Sequence, residues 1–156
     1  MNVKIIAVLA VLVVGYIVFQ QYKARDDEAQ RQKSDSFLVE NSKKPGVVTT
    51  ASGLQYKVIK QGEGARPTAD SKVTVHYKGM LLDKTVFDSS YERGEPATFP
   101  LNAVIKGWTE GLQLMREGGH FIFYIPAELA YGKKGAGSVI PPNSTLIFEV
   151  ELLNVQ

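Results

Sequence analysis

Three segments of this chain alternate apolar and polar residues, and this alternation limits what the chain can fold into. The segments are residues 73–77, 121–125 and 146–152. A period of two places apolar side chains on one face of a strand, which is typical of half-buried antiparallel sheets. A shorter strand is predicted at residues 54–59, where Gln and Lys interleave with apolar residues, and another around residues 97–101.

One helix is predicted between these strands. Trp108, Leu112 and Met115 recur at helical spacing, and Gly118 with Gly119 forms a carboxyl-terminal stop. One short helix and about five strands predict an α+β domain in which an antiparallel sheet wraps around the helix.

The amino-terminal residues form a separate apolar segment. Residues 5–19 carry no charge, and at about 1.5 Å per residue they cover roughly 22 Å, against about 30 Å of hydrocarbon core. No small-x-small cleavage site follows them, so residues 1–22 are interpreted as a retained transmembrane or signal-anchor segment that contacts the membrane through residues 3–22. A cleaved signal and a buried helix of a soluble protein are the alternatives.

Residues 23–46 are predicted to be a charged, partly helical linker, and residues 47–156 the folded domain. The linker is rich in Gln, Lys and Ser, so a solvated helix that continues the anchor and then frays is the simplest interpretation. Basic residues after the apolar run slightly favour a cytoplasmic domain. We nevertheless expect the opposite, a bacterial inner-membrane anchor with the domain in the periplasm, because very short leading tails with a lysine usually stay inside.

The single tryptophan marks a candidate pocket. Trp108 lies between Gly107 and Gly111, and the segments 86–90 and 130–142 add aromatic side chains, one carboxylate and one phenol. These segments contain no nucleophile paired with a base, no metal cluster and no phosphate loop. Such a composition favours a site that binds an apolar group and reshapes it over a site that breaks a bond.

Seven sequence blocks, in this order, resemble the FKBP-type peptidyl-prolyl cis-trans isomerases from about Gly53 to Val155. The blocks are SGLQY at 52–56, VTVHYKG at 73–79, FDSS at 87–90, VIKGW at 104–108, AYG at 130–132, IPP at 140–142 and LIFEVEL at 146–152. The resemblance implies an FKBP-like fold and isomerisation of X-Pro peptide bonds in client polypeptides, with macrolides as expected inhibitors and without a cofactor. Some members of the family dimerise through an amino-terminal helix, but no apolar stripe in residues 20–44 supports that here.

The resemblance also implies a set of site residues. The catalytic set is Tyr77, Phe87, Asp88, Trp108, Tyr131 and Phe148, and the substrate-binding set is Val104, Ile105 and Ile140. Trp108 would lie under the proline ring, while the Tyr131 phenol and the Ile105 backbone N–H would bind carbonyl groups. Asp88 would be a partly buried carboxylate tied to Tyr77 or Arg93. Plain core packing is the alternative for the aromatic residues, and a turn cap is the alternative for Asp88.

Two positions depart from the common family pattern. Ala97 stands where a large aromatic is frequent, and Ala136 stands where a histidine is frequent. Both changes trim the rim of the pocket, so we expect activity to persist with an altered preference for the residue before proline and with looser macrolide binding.

Composition excludes several other classes of function. The 18 basic residues are balanced by 16 acidic ones, which gives a net charge of +2 and no basic stripe for a nucleic acid. The chain has no cysteine and two histidines, a poor set for a metal site. The glycines at 132–137 do not have the spacing of a phosphate-binding loop.

The favoured function is therefore a proline isomerase that assists protein folding. A non-catalytic proline-binding or peptide-binding chaperone or scaffold module is the alternative, which the alanine at position 97 keeps open. Because the pocket residues all follow Gly53, we expect a chain that begins near Gly46 to be soluble and fully active.

Overall fold

The computed structural model describes residues 3–156. Residues 1 and 2 of the predicted anchor lie outside the described residues, as do the side chains of residues 3 and 4. Within these residues the three α-helices are α1 (Val3–Ser42), α2 (Ser90–Arg93) and α3 (Lys106–Leu112). The seven strands are β1 (Val47–Thr49), β2 (Gln55–Lys60), β3 (Lys72–Met80), β4 (Val86–Ser89), β5 (Ala97–Pro100), β6 (His120–Ile125) and β7 (Leu146–Val155).

The strands form one antiparallel sheet in the order β1-β2-β6-β7-β3-β4, and β5 also pairs with β3. The two long strands β3 and β7 lie side by side, with Tyr77 opposite Val150. All five predicted strands are present, and β1 and β4 are additional. The predicted α+β class, an antiparallel sheet around a short helix with an apolar helix before it, is confirmed.

Helix α3 lies directly against β6, because two glycines allow a close approach. A Cβ atom at Gly107 would lie 2.5 Å from Cγ2 of Ile125, and one at Gly111 would lie 2.7 Å from Cε1 of Phe123. Any side chain at these positions would push the helix off the sheet. The buried core therefore forms between α3 and one face of the sheet, and Trp108 is part of it.

Helix α3 is shorter than its apolar spacing predicts. It ends at Leu112, and the chain continues in tight turns in which the Met115 N–H donates to the Leu112 carbonyl at 3.1 Å. Met115 is nevertheless fully buried. Its apolar side chain therefore fits the helical pattern without lying on the helix.

Helix α1 runs without interruption to Ser42, whereas we expected fraying beyond the anchor. Its second half is held against the domain, where the Phe37 and Tyr124 rings lie 6.0 Å apart. Within residues 3–156, α1 is also the one helix long and apolar enough to cross a membrane by length and composition, and none of that apolar stretch is buried.

Candidate active site

A cavity of about 500 Å³ opens between the amino-terminal end of α3, strands β3, β4, β5 and β7, and the segment that joins β6 to β7. Aromatic and aliphatic side chains dominate its lining. The lining residues are Tyr77, Phe87, Asp88, Phe99, Ala103, Val104, Ile105, Trp108, Ala130, Tyr131 and Phe148.

Trp108 forms the floor of this cavity. Its ring lies nearly perpendicular to the rings of Tyr77, Phe99 and Phe148, with centroids 5.1, 5.7 and 5.3 Å away. Edge-to-face pairs at these distances are favourable and fix the orientation of the rings. The Trp108 indole nitrogen is buried, and no hydrogen-bond acceptor for it lies within residues 3–156. The Trp108 side chain is thus held by ring contacts and not by a hydrogen bond from its indole nitrogen.

One wall of the cavity consists of two phenylalanines from different strands. Phe87 on β4 and Phe148 on β7 pack edge to face, with ring centroids 5.5 Å apart. Gly79 on β3 lies beneath both rings, and a Cβ atom there would lie 2.6 Å from Cζ of Phe87 and 2.7 Å from Cε1 of Phe148. The absence of a side chain at Gly79 therefore sets the position of this wall.

The polar side of the cavity is a triad of Tyr77, Asp88 and Arg93. The Tyr77 hydroxyl donates to Oδ2 of Asp88, and Nη1 of Arg93 pairs with Oδ1 of the same carboxylate. Nη2 of Arg93 also donates to the Tyr77 oxygen at 3.0 Å. Because Arg93 and Asp88 are both partly exposed, their ion pair adds little stability. Its main effect is to hold the Asp88 carboxylate in one orientation.

The Tyr77 phenol remains protonated in this triad. Burial raises its pKa, the hydrogen bond to Asp88 raises it further, and Arg93 acts in the opposite direction. Asp88 therefore faces a donor on each side, from Tyr77 and from Arg93. The turn cap that we considered for Asp88 is instead made by its neighbour Ser89, whose side chain accepts from the Glu92 N–H.

Two groups at the mouth of the cavity are free to meet a ligand. Tyr131 is 42% exposed. The backbone N–H of Ile105, the residue just before α3, donates to no other backbone group within residues 3–156. Carbonyl oxygens of an extended polypeptide are suitable partners for both donors.

Two sequence models match this chain and together account for most of it. The model described as "FKBP-type peptidyl-prolyl cis-trans isomerase" matches residues 63–153. The chain belongs to this family. A second model, described as the domain amino-terminal to FKBP-type peptidyl-prolyl isomerase, matches residues 11–58. The second match covers most of α1, so both the helix and the domain resemble FKBP-type proteins.

Individual FKBP-type proteins are similar over most of this chain. The FKBP-type peptidyl-prolyl cis-trans isomerase FkpA of Aeromonas hydrophila is 53% identical over 89% of this chain and 56% of its own length. The outer membrane protein MIP of Legionella longbeachae is 50% identical over 83% of this chain and 55% of its own length. This chain thus spans little more than half the length of these relatives.

A solved FKBP-type structure superposes on the whole chain. The crystal structure of FkpA from Escherichia coli is 40% identical, with a TM-score of 0.89 over 100% of this chain and 74% of that one. The superposition therefore includes α1 as well as the sheet.

Eight of the nine site residues expected from the FKBP resemblance line the one cavity. Ile140 does not line it. That side chain is buried in the core, and its backbone is paired with Ala136, whose N–H donates to the Ile140 carbonyl at 2.9 Å. Ile140 thus supports the segment between β6 and β7 from beneath.

Phe99 is a cavity residue that the sequence reasoning missed. Its ring lies 6.0 Å from that of Tyr77 and is one of the three that pack against Trp108. The alternation of strand 97–101 carried the signal, because it places Ala97 and Phe99 on the same face. The aromatic missing at Ala97 is therefore partly offset two residues later. Ala103 and Ala130, which are small and carry no distinctive chemistry, were also missed.

The two histidines lie away from the cavity lining. Nδ1 of His76 is 2.8 Å from the Ser90 hydroxyl, and its ring stacks on Tyr91. Nε2 of His120 is 2.8 Å from Oε1 of Glu149. Both imidazoles are engaged in structural contacts.

Proposed function

We propose that this chain is a peptidyl-prolyl cis-trans isomerase that acts on proline-containing polypeptides. The observation that carries the proposal is the cavity floored by Trp108, lined by aromatic rings and bordered by Asp88, whose two carboxylate oxygens are bound by Tyr77 and Arg93. Membership of the FKBP family supports the same reaction.

The chemistry of the reaction matches such a cavity. An X-Pro bond prefers trans by only about 0.5–1 kcal/mol, yet it interconverts over tens to hundreds of seconds. The barrier, about 18–20 kcal/mol, arises because rotation destroys amide resonance. A catalyst therefore needs no covalent step and no proton transfer. It needs a site that stabilises the twisted amide more than either planar form.

The apolar lining supplies that difference. Twisting the amide withdraws negative charge from the carbonyl oxygen. The twisted form therefore loses less hydration free energy than the planar form does when it moves from water into the cavity. Trp108 and the Phe87–Phe148 wall offer the proline ring an apolar surface. The exposed Tyr131 and the N–H of Ile105 would hold the neighbouring carbonyl groups, which fixes the chain on both sides of the rotating bond.

A proline-isomerisation assay on the full chain tests this function, with a matched pair of variants. Tyr131→Phe removes the phenolic hydroxyl at the mouth of the cavity and keeps the ring. We expect kcat/KM to fall about 3- to 10-fold, the equivalent of one neutral hydrogen bond. Tyr91→Phe makes the same chemical change outside the cavity, where the hydroxyl binds Glu151, and should leave kcat/KM unchanged. If the chain bound proline peptides without accelerating their isomerisation, the alternative of a non-catalytic peptide-binding module would replace the enzyme.

We also propose that the apolar half of α1 anchors the chain in a membrane, with the domain outside the cytoplasm. Residues 5–19 are uncharged and expose Val11, Leu12 and Phe19 to solvent, which in water would be a costly surface. One similar protein is named as an outer membrane protein. Macrolides are proposed as inhibitors because they are expected ligands of the family.

Cell fractionation tests the anchor. The full chain should sediment with membranes and resist extraction by salt or alkali, and a reporter that acts only outside the cytoplasm should be active when fused after Gln156. A full-length chain that stays soluble would exclude the anchor, and a soluble dimer would indicate that the apolar surface is buried between two copies. A mature chain beginning near residues 22–26 would identify the segment as a cleaved signal.

A further inference from the structure

The segment that joins β6 to β7 carries Tyr131 to the mouth of the cavity, and it contains no strand of its own. Two backbone hydrogen bonds hold the neighbouring residue in place. The Gly132 N–H donates to the Ala127 carbonyl at 2.9 Å, and the Gly132 carbonyl accepts from the Asn143 N–H at 2.9 Å. The residue next to Tyr131 is therefore bonded to Asn143, which lies eleven positions after Gly132 in the sequence.

Asn143 is fixed on its other sides by helix α1. The Ser34 hydroxyl donates to the Asn143 carbonyl at 2.7 Å and accepts from the Thr145 N–H at 3.1 Å. The Asn143 side-chain amide donates to the backbone carbonyl of Asp27 at 3.1 Å. Ser34 is only 4% exposed, so these bonds are shielded from water.

The backbone of Asn143 also needs these contacts. Its φ angle is +59°, in the left-handed region. Asparagine is among the few non-glycine residues that enter this region, and it does so at a cost. The bonds to Ser34, Asp27 and Gly132 together fix a residue that would otherwise sample other conformations.

We propose that Ser34 and Asn143 are positioning residues, through which helix α1 holds Tyr131 in its ligand-binding position. The coupling runs from Ser34 to Asn143, from Asn143 to Gly132, and from Gly132 to its neighbour Tyr131. The proposal rests on the isomerase function, in which Tyr131 binds a carbonyl of the polypeptide. It also changes an earlier expectation: a chain that begins near Gly46 keeps every cavity residue but loses the Ser34 and Asp27 contacts, and so should not be fully active.

Ser34→Ala in the full chain tests the proposal. It removes two hydrogen bonds to the segment and changes no residue of the cavity. Because the binding-competent population would fall, we expect KM to rise about 3- to 10-fold with kcat nearly unchanged. The amides of Gly132 and Asn143, which do not bond to Ser34, should exchange with solvent faster. Ser34→Thr keeps the hydroxyl and should therefore keep both KM and the exchange rates of these amides close to those of the wild type.

Asn41→Ala is the matched control on the same helix. Asn41 is 1% exposed, and its amide donates to Oε1 of Gln55 at 2.8 Å. Its loss should destabilise the docked helix at β2 and leave KM and the exchange of Gly132 as in the wild type. Equal rises in KM for Ser34→Ala and Asn41→Ala would show a general loss of helix docking and would overturn the proposal.

Two further measurements separate the possible outcomes. In a Tyr131→Phe background, Ser34→Ala should have a smaller effect on KM, because both changes act through the same phenol; full additivity would contradict the coupling. If Ser34→Ala does not fold, Asn143→Gly tests the same link. Glycine adopts the positive φ without strain, and the substitution removes only the side-chain bond to Asp27. It should therefore raise KM by a smaller factor than Ser34→Ala does.

The two hypotheses can fail separately. A wild-type chain without isomerase activity would refute the proposed function, and faster exchange at Gly132 in Ser34→Ala would still report the coupling. An active wild-type chain in which Ser34→Ala alters neither KM nor exchange would refute the coupling alone.

Discussion

Replacing Trp108 by leucine separates its role in the cavity from its role in the core. The indole makes three nearly perpendicular ring contacts, with interplanar angles of 87°, 87° and 83°. Each such pair contributes about 0.5–1.5 kcal/mol beyond burial of apolar area. Leucine retains part of the buried apolar surface, so we expect Trp108→Leu to lower the free energy of unfolding by about 2–4 kcal/mol. Trp108→Ala, which also leaves a cavity, should cost about 3–5 kcal/mol.

Activity should fall independently of this loss of stability. Without the indole the proline ring has no flat apolar floor, and a loss of only about 1.4 kcal/mol in the transition state lowers kcat/KM tenfold. Urea unfolding is best followed by far-ultraviolet circular dichroism, because Trp108 is the only tryptophan and its fluorescence disappears with the substitution. Isomerisation is then measured where the variant is fully folded. If the variant were destabilised but kept its activity and macrolide affinity, Trp108 would be a core residue and the assigned floor would be wrong.

Three further predictions concern the Phe87–Phe148 wall, the Tyr77 phenol and the pH dependence of the isomerisation rate. Gly79→Ala should force Phe87 and Phe148 apart, lower stability by about 1–3 kcal/mol and raise KM in the isomerisation assay. Burial raises the pKa of Tyr77, so its contribution to stability is fully present below about pH 10 and is lost as pH rises further. Tyr77→Phe should therefore flatten part of the fall in stability measured by denaturation above pH 10. The isomerisation rate itself should be nearly flat between about pH 6 and 8, because no proton is transferred; a steep change near pH 6.5 would implicate a histidine.

Local sequence patterns predicted five of the seven strands and missed β1 and β4. Strands β3, β6 and β7 each bury one face, which the alternation makes visible. Strand β1 has only three residues, and the burial along β4 shows no alternation. Their pairing depends on β2 and β3, which are partners that no local pattern can name. Tertiary contacts, which a local sequence pattern does not show, therefore determine that β1 and β4 form strands.

The cavity was largely predictable, because its residues occur in short, specific motifs. Phe87 and Asp88 are adjacent in the sequence, and Trp108 follows Ile105 by three positions. Ile140 shows the limit of that reasoning, since a motif identifies a residue that belongs near a site without saying which way its side chain faces. The resemblance predicted that Asp88 would be tied to Tyr77 or Arg93. That Asp88 binds both, and that Arg93 also binds Tyr77, required the structure, because the three residues come from different elements.

The sequence pattern did not predict the docking of α1 on the domain, for a different physical reason. Asp27, Ser34 and Asn41 are seven positions apart and share one helix face, and none of them is apolar. Phe37, three positions after Ser34, adds a ring contact with Tyr124 but not a continuous apolar stripe, so in the sequence the face resembles a solvated surface. Asn143, the partner of Asp27 and Ser34, lies 109 positions after Ser34. Polar groups are well solvated when the helix is detached, so each bond adds only a modest net free energy, about 0.5–1.5 kcal/mol. An attachment made of such bonds is specific in geometry without being strong. The helix can therefore fix the segment that carries Tyr131 without adding an apolar stripe that the sequence would have shown.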